Sequence, residues 1–179
     1  MREVIKRYWQ VAIFKETPAN TPHSFFLLII FLIVYLCSII AQWLIVPQHQ
    51  TIRFIVLFLA GLLLITSYWL YIFFILKIYD KTNRLVQTLT TIVACTLIVH
   101  VLAFPLMYAG PLLLNSKLDQ VLTLLLAIIY LFLTIIFSIW QFLVTAHIFK
   151  EALESDWMTS VLVSFGLLAF NILAVSYIQ

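Results

Sequence analysis

Charge is what this sequence most lacks. Ten Lys and Arg and seven Asp and Glu make up 9% of 179 residues, while apolar residues make up 65%. Soluble domains run at about 25% and roughly 45–50%. A water-soluble fold of this length cannot hide so much apolar surface, because its surface-to-volume ratio forces much of the chain outward. Glycine is scarce too: three residues, which argues against the broken, flexible helices common in transporters. The two cysteines, Cys37 and Cys95, fall inside uncharged runs, so they read as small apolar packing residues and not as a disulfide framework or a Cys-x-x-Cys metal site. All seven carboxylates (Glu3, Glu16, Asp80, Asp119, Glu151, Glu154 and Asp156) lie in or beside loops. Ion-coupled transporters and intramembrane acid chemistry need such groups inside the membrane, and a His-Glu-x-x-His face for a metalloprotease is missing as well. No nucleotide motif is present. The expectation is therefore no enzyme activity, no cofactor and no bound metal.

What is present is uncharged length. Uncharged runs cover residues 17–52, 54–76, 85–116, 120–149 and 157–179, each longer than the ~20 residues a helix needs to cross a ~30 Å hydrocarbon layer. Phe25 to Leu32 reads FFLLIIFL, without the alternation of a transmembrane β-strand. The sequence therefore predicts an all-α integral membrane protein with five transmembrane helices, over about 22–46, 52–76, 85–104, 121–143 and 157–177. Thr21 is read as the N-cap of the first span and Pro22 as its first helical residue. The first span is too long for a signal peptide and no small-residue cleavage site follows it; bulky Leu36 before Cys37 argues against a lipid-acceptor cysteine. Pro105 is expected to kink or stop the third span, leaving 106–114 as an interfacial piece. Residues 121–149 as one helix would reach ~43 Å, so a cytosolic extension from Gln141 to Glu154 is expected, with Trp140 at the boundary. Ser155-Asp156 should cap the last helix.

Residues 1–21 stand apart. Val4, Ile5, Tyr8, Trp9 and Ala12 share one helical face and Glu3, Lys6, Arg7 and Gln10 the other. Such a short basic helix suits the plane of a membrane interface, or a dock on the protein's own inner face. Thr17 to His23, with two prolines, breaks it. The short loops set orientation: Arg2, Lys6, Arg7, Lys15, Lys77, Lys81, Arg84 and Lys150 fall on one side, Arg53 and Lys117 on the other. The positive-inside rule then gives N-in and C-out. Trp43, Tyr108 and Tyr177 at outer ends and Tyr79, Trp140 and Trp157 at inner ends form aromatic belts. Lys6, Arg7, Trp9, Trp140 and Trp157 are the candidate interface anchors. The net charge of +3 thus has an explanation other than nucleic acid, and no nucleic-acid partner is expected.

Three constellations remain. His100 is the one ionisable side chain near mid-membrane. No second imidazole matches its depth, since His147 lies on the cytosolic end of the fourth span and His23 and His49 lie at opposite faces, so it reads as a core histidine bonded to a hydroxyl and not as a haem ligand. Ser164-Phe165-Gly166 lacks the preceding glycine of a nucleophile turn. The third is a polar stripe: Thr123, Ala127, Thr134, Ser138, Gln141 and Thr145 on the fourth span, Ser160, Ser164 and Asn171 on the fifth, with Tyr35, Ser38 and Gln42 on the first. In lipid such residues collect where helices touch and bond across; the alternative is the lining of a small-solute path. A lipid-modifying enzyme would require His147, Glu151 and Glu154 to converge.

The stretch WQVAIFKETPANTP, Trp9 to Pro22, followed at once by the first span, resembles the Yip1-type membrane proteins, in which a short cytosolic segment leads through a proline into five closely spaced helices. A similar basic-aromatic start occurs in small bacterial inner-membrane proteins. The resemblance implies five helices N-in and C-out, a plasma (bacterial inner) membrane setting, and membrane organisation or partner binding in place of catalysis. The expected function is a non-enzymatic scaffold or assembly subunit whose partners are the lipid bilayer and a membrane protein or a second copy, through the N-terminal helix, the Asp80–Arg84 loop and the inner end of the fourth span. The alternative is a small-solute permease or channel lined by the polar stripes.

Overall fold

The structure, a computed structural model, describes residues 2–45, 54–114 and 121–176. The expected turns at 47–51 and 115–120, with Arg53, Lys117 and Tyr177, lie outside the described residues. Among those residues every regular element is helical: α1 Arg2–Ala12, a 3-10 turn Pro18–Asn20, α2 Phe25–Ile45, α3 Phe54–Ile78, a second 3-10 turn Thr82–Arg84, α4 Leu85–Leu114, α5 Val121–Leu153 and α6 Trp157–Ser176. Five candidate spans are long and apolar enough to cross a membrane: α2, α3, the stretch Thr82–Leu113, α5 and α6. The chain is a multi-pass membrane protein by that measure.

Two local expectations are corrected. The first span starts at Phe25, not Pro22. Thr21 is no N-cap for it: its hydroxyl donates to the Pro18 carbonyl at 2.7 Å and meets the Thr91 hydroxyl of α4 at 2.9 Å. Ser24 takes the capping place, its Oγ accepting from the Leu27 amide at 3.4 Å. A tertiary bond to α4 thus outcompetes the local cap. Nor does Pro105 stop α4, which continues as helix through Pro105 and Pro111 to Leu114, so 106–114 is no separate piece. In an apolar medium an open backbone group costs several kcal/mol, so losing one bond per proline is cheaper than unwinding the last turns. The tail of α4 also has a neighbour: a Cβ on Gly110 would meet the Tyr130 hydroxyl of α5 at 3.0 Å.

The long helices neighbour one another in a closed cycle α2, α3, α6, α5, α4, with α3 and α4 also touching and α1 laid against α4. α1, α3 and α5 all end the same way, with a non-glycine residue at positive φ (Phe14 60°, Asp80 53°, Glu154 52°). The next amide bonds five residues back: Lys15 to Gln10 at 2.8 Å, Lys81 to Leu76 at 2.8 Å and Ser155 to Lys150 at 3.2 Å. This Schellman closure satisfies carbonyls that would otherwise be orphaned. Asp156 caps α6, accepting from the Thr159 amide at 3.2 Å and its hydroxyl at 2.5 Å; these bonds hold its carboxyl below the usual range.

Burial is uneven along the bundle. Leu89, Ile92 and Val93 of α4, Ile148 and Phe149 of α5 and Ile72 and Leu76 of α3 are buried at the end that carries α1. At the other end of α5, most large apolar side chains from Val121 to Ile139 are exposed, and only the face of Ala127, Tyr130 and Phe137 is half-buried. The most hydrophobic window of α5 is 0% buried, against 50% for that of α4.

Candidate functional site

The polar stripe of α5 and α6 lands on a cavity. Ser138, Gln141 and Thr145 of α5, Ser164 and Asn171 of α6 and Tyr68 of α3 line a space of about 240 Å³, with Phe142, Leu167, Leu168 and Ile172 completing its walls. The other four stripe residues, Thr123, Ala127, Thr134 and Ser160, are not in its lining. Thr134 is exposed and its hydroxyl donates to the Tyr130 carbonyl at 2.8 Å. Ser160 is fully buried and bonds the Asp156 carbonyl at 2.9 Å.

The hydroxyls do not stitch α5 to α6. Ser138, Thr145 and Ser164 donate one turn back along their own helices, to Thr134, Gln141 and Ser160, at 2.8, 2.9 and 2.9 Å. Each thereby satisfies its own proton, as a serine or threonine in a helix does when no partner competes. The bonds across helices come from elsewhere. Ser67 of α3 meets Asn171 Oδ1 at 2.6 Å, and the Tyr71 hydroxyl donates to the Val163 carbonyl at 2.7 Å. Neither Ser67 nor Tyr71 stood out in the sequence; a serine and a tyrosine four residues apart in an otherwise apolar span were the available signal. Gly166 belongs to the same crossing: a Cβ there would collide with the Tyr71 oxygen, so the glycine serves close approach and not a nucleophile turn.

His100 is not part of the cavity lining. Its ring is 5.7 Å from that of Tyr35 at 31°, and Nδ1 is buried with no hydrogen-bond partner among the described residues. The hydroxyl bond expected for it is not formed through that nitrogen. The Tyr35 hydroxyl is turned to Tyr68, which also contacts Thr96, so His100 meets an aromatic face instead. On the α2 stripe Tyr35 and Gln42 are buried, Gln42 Nε2 without a partner among the described residues.

The inner face is tied by polar bonds. Arg84 donates to the Glu151 carbonyl at 3.0 Å and the Ala152 carbonyl at 3.4 Å, capping the C-terminus of α5, where a cation complements the helix dipole. Lys81 and Arg84 both pair with the Glu154 carboxylate, and hydrogen bonds from the two hold it below the usual carboxylate range. Gln87 Nε2 donates to the Pro18, Ala19 and Thr21 carbonyls at 3.3, 2.8 and 2.9 Å, fixing the linker to α4. His147 does not join Glu154: its ring packs on Phe14 at 5.5 Å. Among the described residues no group of three His, Cys, Asp or Glu could hold a metal ion.

The interface anchors divide. Tyr8, Val11 and Ala12 turn into the bundle, and burial pushes the Tyr8 hydroxyl up to about 12. Trp140 Nε1 donates to the Ala12 carbonyl at 2.8 Å, and the Trp9 and Trp140 rings meet edge-on at 6.4 Å. Trp9 itself is 40% exposed, as is much of Ile5. Arg7 donates to the Asn20 carbonyl at 3.1 Å, whereas Lys6 is exposed with no partner among the described residues. Lys150 Nζ stands 6.0 Å from the centre of the exposed Trp157 ring.

No protein-family model, curated protein or solved structure matches the chain.

Proposed function

We propose that this chain is a non-enzymatic, multi-pass protein of a bacterial inner membrane, N-terminus in and C-terminus out, that works as a scaffold or assembly subunit. Its working surfaces are contacts with a membrane-protein partner or a second copy and with lipid, as its resemblance to the Yip1-type proteins implies. One observation carries this reading: the outer half of α5 has so little of its own bundle around it, yet Thr134 and Ser138, the latter at the rim of the cavity, stand exposed one turn apart in line with half-exposed Ala127. Small and hydroxylated residues on a lipid-facing stripe let a second helix approach closely, whereas a helix bound for lipid alone gains nothing from them. The reading is also supported by the clustered cations on one side and by α1 lying beside Trp140, with Ile5 and Trp9 turned outward as in a helix at the membrane surface.

The test is cross-linking in native membranes. In a chain with Cys37→Ser and Cys95→Ala, Thr134→Cys and Ser138→Cys should cross-link to a discrete product, while Ile136→Cys, on the opposite face, should not. Equal yields at all three positions, or none, remove the reading.

A second reading is favoured by the cavity itself, which presents hydroxyl and amide groups and no charge, as a path for a small neutral solute would. Water-soluble thiol reagents decide it. Modification of Ser164→Cys means a wet path, and inertness means a closed space.

A further inference from the structure

α1 covers α4 incompletely. Beside its docked face, Ile5, Tyr8 and Trp9 overhang Phe31 of α2 and Ile98 and Leu102 of α4, enclosing a groove of about 270 Å³ with almost no polar group in its walls. Its α4 wall runs from Ala94 to Leu102, about 12 Å at 1.5 Å per residue. At Ile5, Trp9 and Ile98 the groove opens into a wider cleft that carries Lys6 and Glu3. Lys6 is the feature that sets this place apart. Arg7 is engaged by Asn20, and Lys81 and Arg84 by Glu154, but the Lys6 ammonium has no partner among the described residues. Tyr8, at the head of the groove, holds a buried hydroxyl with no hydrogen-bond partner among them either.

In the membrane an apolar slot is filled by hydrocarbon, and a chain that fits it gains packing contacts along its length. A compact ammonium at its mouth suits a phosphate as a point charge. One chemistry offers both at this spacing: an alkyl chain ending in a phosphodiester. We infer that the groove between α1 and α4 is a binding site for one phospholipid, with an acyl chain laid along α4 toward Leu102 and its phosphate on Lys6. The site rests on the proposed interfacial setting of α1, and it gives that helix a task beyond anchoring: lipid would fasten α1 to α4, and with it the linker that Gln87 holds.

The test uses the purified full chain in detergent and native mass spectrometry, with phosphatidylglycerol and a diacylglycerol of the same chains as probes. Phosphatidylglycerol should stay bound as one tight equivalent and diacylglycerol should not. Lys6→Glu should weaken retention roughly tenfold, from the loss and reversal of one basic charge. Ile98→Trp, which fills the groove, should abolish it. Leu102→Trp at the exposed far end, where folding is not at stake, should weaken it too, and Leu124→Trp on the outer half of α5 should leave it unchanged. Equal retention of the two lipids would mean that no phosphate is read, and indifference to both groove variants would mean that no chain lies there; either overturns the site. Failure here is separable from failure of the scaffold reading, because cross-linking at Thr134 and Ser138 reports a different helix.

Discussion

Gly166 gives a sharp test of how α3 and α6 are held together. Its missing side chain leaves room for the Tyr71 hydroxyl, which donates to the Val163 carbonyl at 2.7 Å. A Cβ at position 166 would overlap that oxygen. In Gly166→Ala the tyrosine must therefore swing aside, losing a bond worth about 0.5–1.5 kcal/mol and straining a crossing where extra bulk costs about 1–3 kcal/mol. Alanine returns about 1 kcal/mol through helix propensity, so the single variant should lose roughly 1–2 kcal/mol in all. Tyr71→Phe alone should lose about 1 kcal/mol. The double variant keeps the new methyl but removes the oxygen it would strike, so the two losses should not add: a coupling of about 1 kcal/mol or more is expected. Reversible unfolding by denaturing detergent, followed by helical circular dichroism, measures all four corners of the cycle. If Gly166→Ala is as stable as the parent and its effect simply adds to that of Tyr71→Phe, the close approach of α3 and α6 at this point is wrong.

Three further outcomes are expected. Asp80→Gly relieves a left-handed residue at the end of α3 and should stabilise by about 0.5–1 kcal/mol once the added freedom of the unfolded chain is counted; a loss of stability on thermal melting would contradict the Schellman closure. Gln87→Leu strips the linker of three side-chain bonds at a cost of about 1–3 kcal/mol, so proteolysis between Thr17 and Ser24 should quicken well before the bundle melts. The Glu154 carboxyl is held low by Lys81 and Arg84. A lowered folded value means stabilisation present above the ordinary glutamate range and lost as pH falls through the folded value. The melting temperature of the parent should therefore converge on that of Glu154→Gln only as pH falls below the ordinary glutamate range, and earlier in high salt, since the pair is exposed. Curves that run parallel at every pH would mean that charge is not what Glu154 contributes.

The existence of the five spans was legible in the sequence because the decision is local. A run of about twenty uncharged residues either matches the hydrocarbon thickness or does not, and no distant residue changes that. The cap on α6 at Asp156 and the continuous helix from Val121 past Trp140 follow from the same kind of nearby information. The polar stripe was legible as a pattern, since spacings of three, four and seven are a property of one helix. What the pattern meant was decided in three dimensions. Whether Ser138, Gln141 and Thr145 would bond across to α6 or border a cavity depended on how far apart the axes lie, and the Tyr71–Gly166 contact and the Ser67–Asn171 bond, 104 residues apart in sequence, set that crossing. Thr21 carried every local mark of an N-cap and was drawn instead to Thr91, 70 residues away. Pro105 carried the marks of a helix end and was overruled by the cost of open backbone in an apolar setting. Sequence alone thus determined that lipid is the solvent and how many times the chain enters it, because transfer between water and hydrocarbon depends on residues taken a segment at a time. The tertiary structure decided which polar groups meet, because a hydrogen bond depends on two partners that only folding brings within 3 Å.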